Sequence, residues 1–305
     1  MERRSFRDEI ARNKRSSLFL AVLVAAVLVL LVYVFTLIFA PEYSLIVLPF
    51  SFIFIALYTY GSYMYGDGVI LSATNAQPAE GSQYQHLRDT VEGVSIAAGI
   101  PPPKVYVMES SEINAYATGR DPEHASIAVT TGAVRELSRA ELEGVVAHEV
   151  SHVRNRDILF MTLVAVLVGL VAILSHIILR TFRYGGVQRE RRGRGRGERG
   201  GGIEALILVL GFVLAIFAPI AVRLVQLALS RRREFLADAS GVELTRYPEG
   251  LASALEKIMK RNRGNIDVSE AVSHLFFTDP KRSPLDELFA THPPIEERIK
   301  RLRAM

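Results

Sequence analysis

Two histidines four residues apart, with a glutamate directly after the first, form the segment of this chain best suited to chemistry. The segment reads His148-Glu149-Val150-Ser151-His152. On a helix, residues at positions i and i+4 lie on one face about one turn apart, so both imidazoles can reach one metal ion. Glu149 lies beside the pair and could act as a base on a water molecule at that ion. The pattern favours a zinc hydrolase over two solvated histidines.

The composition excludes several other chemistries. The 305-residue chain contains seven histidines and no cysteine, which excludes disulfides, cysteine-ligated zinc, iron–sulfur clusters and cysteine nucleophiles. A metal ion must therefore be held by His, Asp or Glu side chains. Because a zinc hydrolase site normally has three protein ligands and one open position, a third ligand must come from elsewhere in the sequence.

The best candidate for the third ligand is Glu234, which stands four residues before Asp238 on a segment expected to be helical. We expect Glu234 to bind zinc and Asp238 to orient an imidazole by accepting the hydrogen bond of its other ring nitrogen. On spacing alone, a second interpretation is nearly as good. Both carboxylates would then lie on the surface and neutralise the three preceding arginines, Arg231, Arg232 and Arg233.

A helix must position the two histidines, and its start is marked in the sequence. Ser138 and Glu141 have the spacing of a capping box, in which each side chain bonds the other residue's backbone N–H. Apolar residues then recur at spacings of three and four, at Leu142, Val145, Val146, Val150 and Val153. This periodicity predicts a helix that continues through at least Asp157. Before it, β-forming stretches at residues 104–108, 113–118 and 126–131 predict a small antiparallel sheet.

Four long apolar runs place the chain in the membrane class. Residues 18–40 and 43–65 form runs of 23 residues each, and about 20 apolar residues span a bilayer as a helix. Residues 158–179 and 205–222 are two further candidates. Their alternative interpretation is a buried helical hairpin in a large soluble core. Half of all residues are hydrophobic, so an extended disordered chain is excluded.

The basic residues indicate the expected orientation and partners. Much of the net charge of +4 lies beside the apolar runs, which favours lipid headgroups and argues against a nucleic-acid partner. Thirteen Lys and Arg side chains flank the membrane ends on the side of the two polar segments, and eight lie opposite. Cytoplasmic flanks carry the excess, so a cytoplasmic polar domain is expected. The eight lie in an Arg-Gly loop, which leaves open whether the last two runs cross completely.

Taken in order, these motifs resemble the HtpX-type membrane-bound zinc metalloproteases, whose family also contains the CAAX prenyl endopeptidases. The resemblance covers essentially the whole chain, from the two amino-terminal runs and an Asn-Ala-Tyr-Ala-Thr-Gly segment to the terminal Thr291-His292-Pro293-Pro294. It implies a mainly α integral-membrane protein, with transmembrane helices and a zincin-like α+β metalloprotease domain. It also implies a multi-pass protein of the cell membrane with the protease domain in the cytoplasm.

The implied domains follow the apolar runs. They are a basic cytoplasmic tail (1–17), two transmembrane helices (18–65), the first part of the protease domain with the HEVSH helix (66–157), a hydrophobic helical hairpin with an Arg/Gly-rich loop (158–229) and the second part of the protease domain (230–305). An even number of crossings separates the two polar parts, so they lie on one side of the membrane and can share one site.

The resemblance assigns roles to individual residues. It implies one Zn²⁺ per chain, with His148, His152 and Glu234 as ligands, Glu149 as general base and Asp238 in a supporting role. The stretch from Asn114 to Thr118 would be an edge strand beside the zinc, to which an extended substrate adds by main-chain hydrogen bonds. Its substrate-binding residues would be Asn114, Ala115 and Tyr116. Apart from the resemblance, His292 stands before two prolines and could donate a hydrogen bond to the oxyanion, although a lone histidine near prolines is more often structural.

The implied function is hydrolysis of peptide bonds in misfolded or damaged membrane proteins near the membrane surface. Its partners would be polypeptide substrates, mainly membrane proteins, and membrane lipid. Two alternatives stay open, namely a CAAX-type prenyl-protein endopeptidase and a non-catalytic membrane scaffold whose arginine patches bind lipid. The sequence leaves the oligomeric state open.

Overall fold

The computed structural model describes residues 41–166, 231–280 and 293–305, with isolated positions between residues 15 and 33 and at residue 169. Most of the first apolar run, all of the fourth, the Arg/Gly-rich loop and His292 lie outside the described residues. The described chain is mostly helical and contains one small sheet.

One long apolar helix opens the described chain. A short 3-10 turn at Pro41–Tyr43 leads into helix α1, Ser44–Ala73. Its Leu45–Ala73 portion is the one helix among the described residues long and apolar enough to cross a membrane. Phe50 and Phe54 are 68% and 69% exposed, as expected for side chains that face lipid.

Helix α1 extends eight residues beyond the predicted end of the second apolar run. The Gly66-Asp67-Gly68 segment does not end it, and α1 continues to Ala73. A Cβ atom at Gly66 would lie 2.9 Å from the side chain of Thr162. Glycine at this position therefore allows α1 to pack closely against the start of the third apolar run, which stabilises the helix past the predicted boundary.

The sheet has four strands in the order β1-β2-β4-β3. The strands are β1 (Gln77–Pro78), β2 (Lys104–Met108), β3 (Ala115–Gly119) and β4 (Ala125–Thr130). β1 pairs antiparallel with β2, and β3 with β4, but β2 and β4 run parallel. The prediction of an antiparallel sheet was therefore wrong for the central pair. The chain passes from β2 to the edge strand β3 and returns as β4 between them, an order that strand propensity does not reveal.

Eight further helices follow α1 in the described chain. They are α2 (Gln85–Ala98), α3 (Thr131–Glu136), α4 (Arg139–Arg154), α5 (Asp157–Val166), α6 (Arg231–Thr245), α7 (Pro248–Arg261), α8 (Glu270–Ser273) and α9 (Ile295–Leu302). Helix α4 is central and packs against α2, α6, α7 and β3. A Cβ atom at Gly241 of α6 would lie 3.2 Å from the backbone nitrogen of His148, and one at Gly144 would lie 2.7 Å from the backbone of Leu251 in α7. These glycines permit the close approach of the three helices.

Helix α4 begins as predicted and ends earlier. The capping box between Ser138 and Glu141 is present in both directions. The predicted continuation through Asp157 was wrong, because Arg156 adopts a φ of 58° and interrupts the helix before α5 begins. A left-handed residue cannot continue a right-handed helix. The turn allows the side chain of Asp157 to reach back toward His152.

Candidate metal centre

Three buried side chains from two distant parts of the chain meet beside helix α4. His148 and His152 project from α4, and Glu234 projects from the first turn of α6. The two Nε2 atoms lie 3.2 Å apart. One carboxylate oxygen of Glu234 lies 3.6 Å from His148 Nε2, and the other lies 3.5 Å from His152 Nε2. The structure thus brings together the three residues that the sequence predicted as metal ligands.

These atoms lie close enough together to share one small cation. The two separations that involve Glu234 run to different oxygens of its carboxylate, and with one ligand atom taken from each residue the three atoms all lie within 4.8 Å of one another. Two imidazole nitrogens and one carboxylate oxygen form a donor set typical of hydrolytic zinc sites. The residues therefore fit a zinc ion in donor chemistry and in proximity.

Each histidine has a carboxylate behind it. His148 Nδ1 lies 2.8 Å from Asp238 on α6, as the predicted supporting role requires. His152 Nδ1 lies 3.2 Å from Asp157, a contact that the sequence analysis missed. Such a carboxylate accepts the N–H of the ring and leaves Nε2 as the acceptor that a metal needs. The only signal for Asp157 in the sequence was its place as an acidic residue directly before an apolar run.

A fully buried arginine completes the polar cluster, and it too was missed. Arg298 of α9 is 0% exposed and donates two hydrogen bonds to the carboxylate of Asp238, at 2.9 and 2.7 Å. In the sequence, Arg298 stands three residues after Ile295 and four before Leu302. An arginine in the apolar stripe of a helix was the signal that could have identified it.

The surroundings of His148 favour positive charge. Burial alone would lower the pKa of this imidazole, but the carboxylates of Asp238 and Glu234 outweigh burial and raise its pKa to about 9. Burial would raise the pKa of Asp238, but Arg298 and His148 hold the pKa of that carboxyl at about 2. The carboxylates of Asp238 and Glu234 thus favour a positive charge at His148, and a metal cation at Nε2 could supply that charge in place of a proton.

Glu149 has the environment expected of a base. It is 1% exposed, and its Oε1 atom has no hydrogen-bond partner among the described residues. Burial raises the pKa of Glu149, and the nearby carboxylate of Glu234 raises it further against the opposing effect of the two imidazoles. A buried polar atom without a partner is costly, so such an atom beside a candidate metal site is suited to bind a water molecule.

The strand predicted to bind substrate lies at the edge of the sheet, but its outer side is covered at one end. The backbone N–H of Phe277 donates to the carbonyl of Ala115 at 2.7 Å, and Tyr116 pairs with Phe276 as an antiparallel bridge. The side chain of Asn114 bonds both the N–H and the carbonyl of Thr278. We call residues 276–278 the edge segment. The substrate role of Asn114, Ala115 and Tyr116 stays a prediction, and it requires the edge segment to move.

The chain matches a known protein family over most of its length. The sequence pattern described as "Peptidase family M48" matches residues 82–305. The chain belongs to peptidase family M48. A "Protease HtpX homolog" of Thermoanaerobacter pseudethanolicus is 43% identical to this chain and covers 100% of it and 99% of its own length. Another, of Dictyoglomus thermophilum, is 40% identical over 99% of this chain and 95% of its own length.

Among solved structures, the chain is similar to that of S. mikatae Ste24p, with a TM-score of 0.49 and 18% identity. The similarity covers 97% of this chain and 66% of the Ste24p chain. The M48 match includes α2, strands β2 to β4, α4 and both parts of the metal cluster, whereas α1 and β1 precede it. M48 membership confirms the resemblance drawn from the motifs and the prediction of a membrane metalloprotease that acts on polypeptides.

Proposed function

We propose that this M48 protease is a zinc-dependent endopeptidase that cleaves misfolded or damaged membrane proteins near the membrane surface. The observation that carries the proposal is the buried cluster of His148, His152 and Glu234, whose possible ligand atoms all lie within 4.8 Å of one another. The unpartnered oxygen of Glu149 in the same cluster supports hydrolysis over a purely structural metal site.

The chain's own residues divide the chemical work. His148, His152 and Glu234 would hold one zinc ion, while Asp238 and Asp157 fix the two imidazoles with Nε2 toward it. When bound in such a site, zinc supplies Lewis-acid chemistry, which lowers the pKa of a water molecule and polarises the scissile carbonyl. Three protein ligands would leave room at the ion for water or substrate.

Glu149 is the proposed general base. Its buried Oε1 would take a proton from the attacking water and later pass it to the leaving amine. A carboxyl group with a raised pKa holds the transferred proton better than an ordinary glutamate, because its acidity is closer to the working pH. His292, which lies outside the described residues, would donate to the oxyanion that forms on the substrate.

The position of the cluster supports substrates at the membrane surface. Asp157, which contacts His152, is the first residue of the apolar helix α5. Thr74, directly after α1, hydrogen-bonds the phenol of Tyr116 on the edge strand. One apolar helix therefore begins beside the proposed catalytic cluster, and the other ends beside the proposed substrate strand. On this basis we place a cytoplasmic, zincin-like protease domain, formed from residues 66–157 and 230–305, against a multi-pass membrane region.

The edge strand suggests how a substrate is recognised. An extended polypeptide could pair with β3 by main-chain hydrogen bonds, which require little sequence specificity. At Ala115 the carbonyl already accepts a bond from the edge segment, so substrate would replace that contact. Recognition of backbone rather than side chains suits a protease of unfolded segments.

Substitution of Glu149 by Gln tests the proposal. The variant should bind one zinc ion as the parent does, while cleavage of an unfolded protein in detergent falls about 10²- to 10⁴-fold. Glu143→Gln is the matched control, because Glu143 lies on the same helix and is only partly buried. It should cleave at the parental rate.

Two results would contradict this assignment. Parental activity in Glu149→Gln would show that another group is the base, and a purified parent without stoichiometric zinc would remove the metal mechanism. A farnesylated peptide measured beside the unfolded protein separates broad proteolysis from the CAAX-type alternative. Cleavage of the farnesylated peptide alone would favour that alternative.

A further inference from the structure

We propose that Arg298 is a positioning residue that holds the ligand His148 in place through Asp238, an inference that rests on the proposed zinc protease. Arg298 lies on α9, in the last described segment of the chain, and sixty positions beyond Asp238. Its Nη2 lies 3.4 Å from His148 Nδ1, the ring nitrogen opposite the one that would face the metal. Its expected effect is on the orientation of a ligand and not on the bond-breaking step.

The geometry forms a relay of two contacts. The Nε and Nη2 atoms of Arg298 donate to the two oxygens of Asp238, at 2.9 and 2.7 Å. Oδ1 of Asp238 then lies 2.8 Å from His148 Nδ1. A two-point bond between a guanidinium and a carboxylate fixes the plane of the carboxylate. The plane of the carboxylate in turn determines the direction from which Asp238 can accept a hydrogen bond from the imidazole N–H.

The remaining contacts of the guanidinium also converge on the site. Its Nη1 donates to the backbone carbonyl of Phe277 at 3.1 Å and lies 3.9 Å from the carboxylate of Glu234. The guanidinium carbon lies 4.6 Å from the centre of the Phe277 ring, which itself packs edge-on against His148 at 4.9 Å. Arg298 therefore contacts Asp238, the proposed ligand Glu234 and the edge segment.

Another arginine near the end of the same helix shows what an ordinary ion pair looks like here. Arg303, directly after α9, pairs with Glu249 and Glu256 at the protein surface. Exposed pairs of this kind contribute about 0 to 1 kcal/mol to stability. Arg298 is fully buried, where a cation is retained only with close anionic partners, and its two-point partner is the carboxylate behind His148.

If the relay is correct, loss of the guanidinium weakens metal binding. Asp238 would keep one polar partner instead of two and could rotate away from His148. Substitution of a residue that orients a metal ligand typically weakens metal affinity 10- to 100-fold. We expect this loss in Arg298→Met. Arg298→Lys should give a smaller loss, because lysine keeps the charge but lacks the planar two-point donor.

The experiment measures zinc affinity by chelator competition in the full-length protein in detergent. The visible absorption spectrum of the Co²⁺-loaded protein provides a second readout, since it reports ligand geometry independently of activity. Arg298→Met should show both a weaker affinity and an altered spectrum. Arg303→Met, the control near the same helix end, should match the parent in both. A purely structural role for Arg298 would lower thermal stability and leave the Co²⁺ spectrum of the folded fraction unchanged.

A double-mutant cycle with Asp238→Asn tests whether Arg298 acts through Asp238. Residues in one network show non-additive effects, so adding Arg298→Met to Asp238→Asn should weaken zinc binding by less than about threefold. The inference would be overturned if Arg298→Met had the zinc affinity and Co²⁺ spectrum of the parent. It would also be overturned if the double variant lost zinc affinity by the product of the two single-variant losses. If Arg298→Met does not fold, Arg298→Lys decides by the same two readouts. Absence of zinc from the parent would instead refute the proposed function.

Discussion

Helix α1 and the metal cluster both depart from the usual burial of side chains. Helix α1 exposes apolar side chains, and the cluster buries charged ones. Along α1, large apolar side chains such as Phe50, Phe54 and Leu57 are more than 60% exposed. In the cluster, charged or titratable side chains such as Glu149, Glu234 and Arg298 are at most 4% exposed. An exposed apolar surface and a buried polar group are the two departures from ordinary burial that carry information.

The difference shows that each region requires a partner other than water. A long apolar surface is stable when lipid covers it, and a buried group of carboxylates and imidazoles is stable when a cation balances it. Arg298 supplies one such charge from within the chain, and the proposed zinc ion supplies the rest. The apolar helix and the metal cluster therefore follow one rule, namely that the polarity of a side chain must match the environment that covers it.

The largest effect should follow removal of the metal. If zinc balances the cluster, a strong chelator should abolish proteolysis and lower the free energy of unfolding by about 4 kcal/mol when free zinc had been about 1,000 times its dissociation constant. Added zinc should restore both. Thermal unfolding and casein cleavage in detergent, each with and without chelator, measure the two effects.

Histidine substitutions provide the control for chelation. His152→Ala should make the protein indifferent to chelator, because one of the three ligand side chains is gone. His86→Ala should respond as the parent does, since His86 is exposed on α2. If both variants responded to the chelator in the same way, the charge of the buried cluster would be balanced without a metal, and the contrast with helix α1 would fail.

A second prediction contrasts two apolar helices. Ile158 of α5 is 0% exposed and belongs to the main core, whereas Phe54 of α1 is 69% exposed. Ile158→Ala should destabilise the protein by about 2 to 5 kcal/mol through the cavity it leaves. Phe54→Ala removes a larger side chain, yet it should cost less than about 0.5 kcal/mol in detergent.

Thermal unfolding of both alanine variants, measured with zinc present, checks the contrast. Equal destabilisation would mean that the outer face of α1 packs against protein and does not face lipid. The burial of α5 also bears on the third apolar run. Its described part packs on the sheet, where Thr162 bonds Thr118 and Gly119, while the rest of that run lies outside the described residues.

The sequence was sufficient for features set by local patterns. The capping box at Ser138 and the spacing of His148 and His152 depend on residues within one or two helical turns, so periodicity predicts them. Glu234 was harder, because its carboxylate spacing with Asp238 suited a surface pair nearly as well. Family resemblance, and not geometry, favoured the correct interpretation of where that side chain lies.

Features created by tertiary packing were not predictable in this way. Asp157 reaches His152 only because Arg156 turns the chain with a positive φ. Arg298 reaches the site across 150 positions from His148, through the packing of α9 against α6. The parallel pairing of β2 with β4 likewise depends on where the returning strand inserts. Local propensity identifies elements but not the distant partners that they meet.

The smallest expected effect concerns a buried carboxylate that the chain satisfies without a metal. Glu141 begins α4, bonds the backbone of Ser138 and pairs with Lys257 at 2.6 Å. Burial raises the pKa of Glu141, but the bonds from Lys257 and Ser138 outweigh it, so the net pKa lies below the ordinary value of 4.5. Glu141→Gln should therefore cost about 1 kcal/mol at neutral pH, as loss of a helix cap does.

The contribution of Glu141 should depend on pH. A group with a lowered folded pKa stabilises the protein above its unfolded pKa and loses that contribution as pH falls through the folded value. Urea unfolding of parent and variant should thus differ at pH 7, and the difference should shrink as the pH falls below the ordinary pKa of 4.5. The difference should be insensitive to chelator, and a chelator-dependent difference would mean that Glu141 and the metal cluster are coupled.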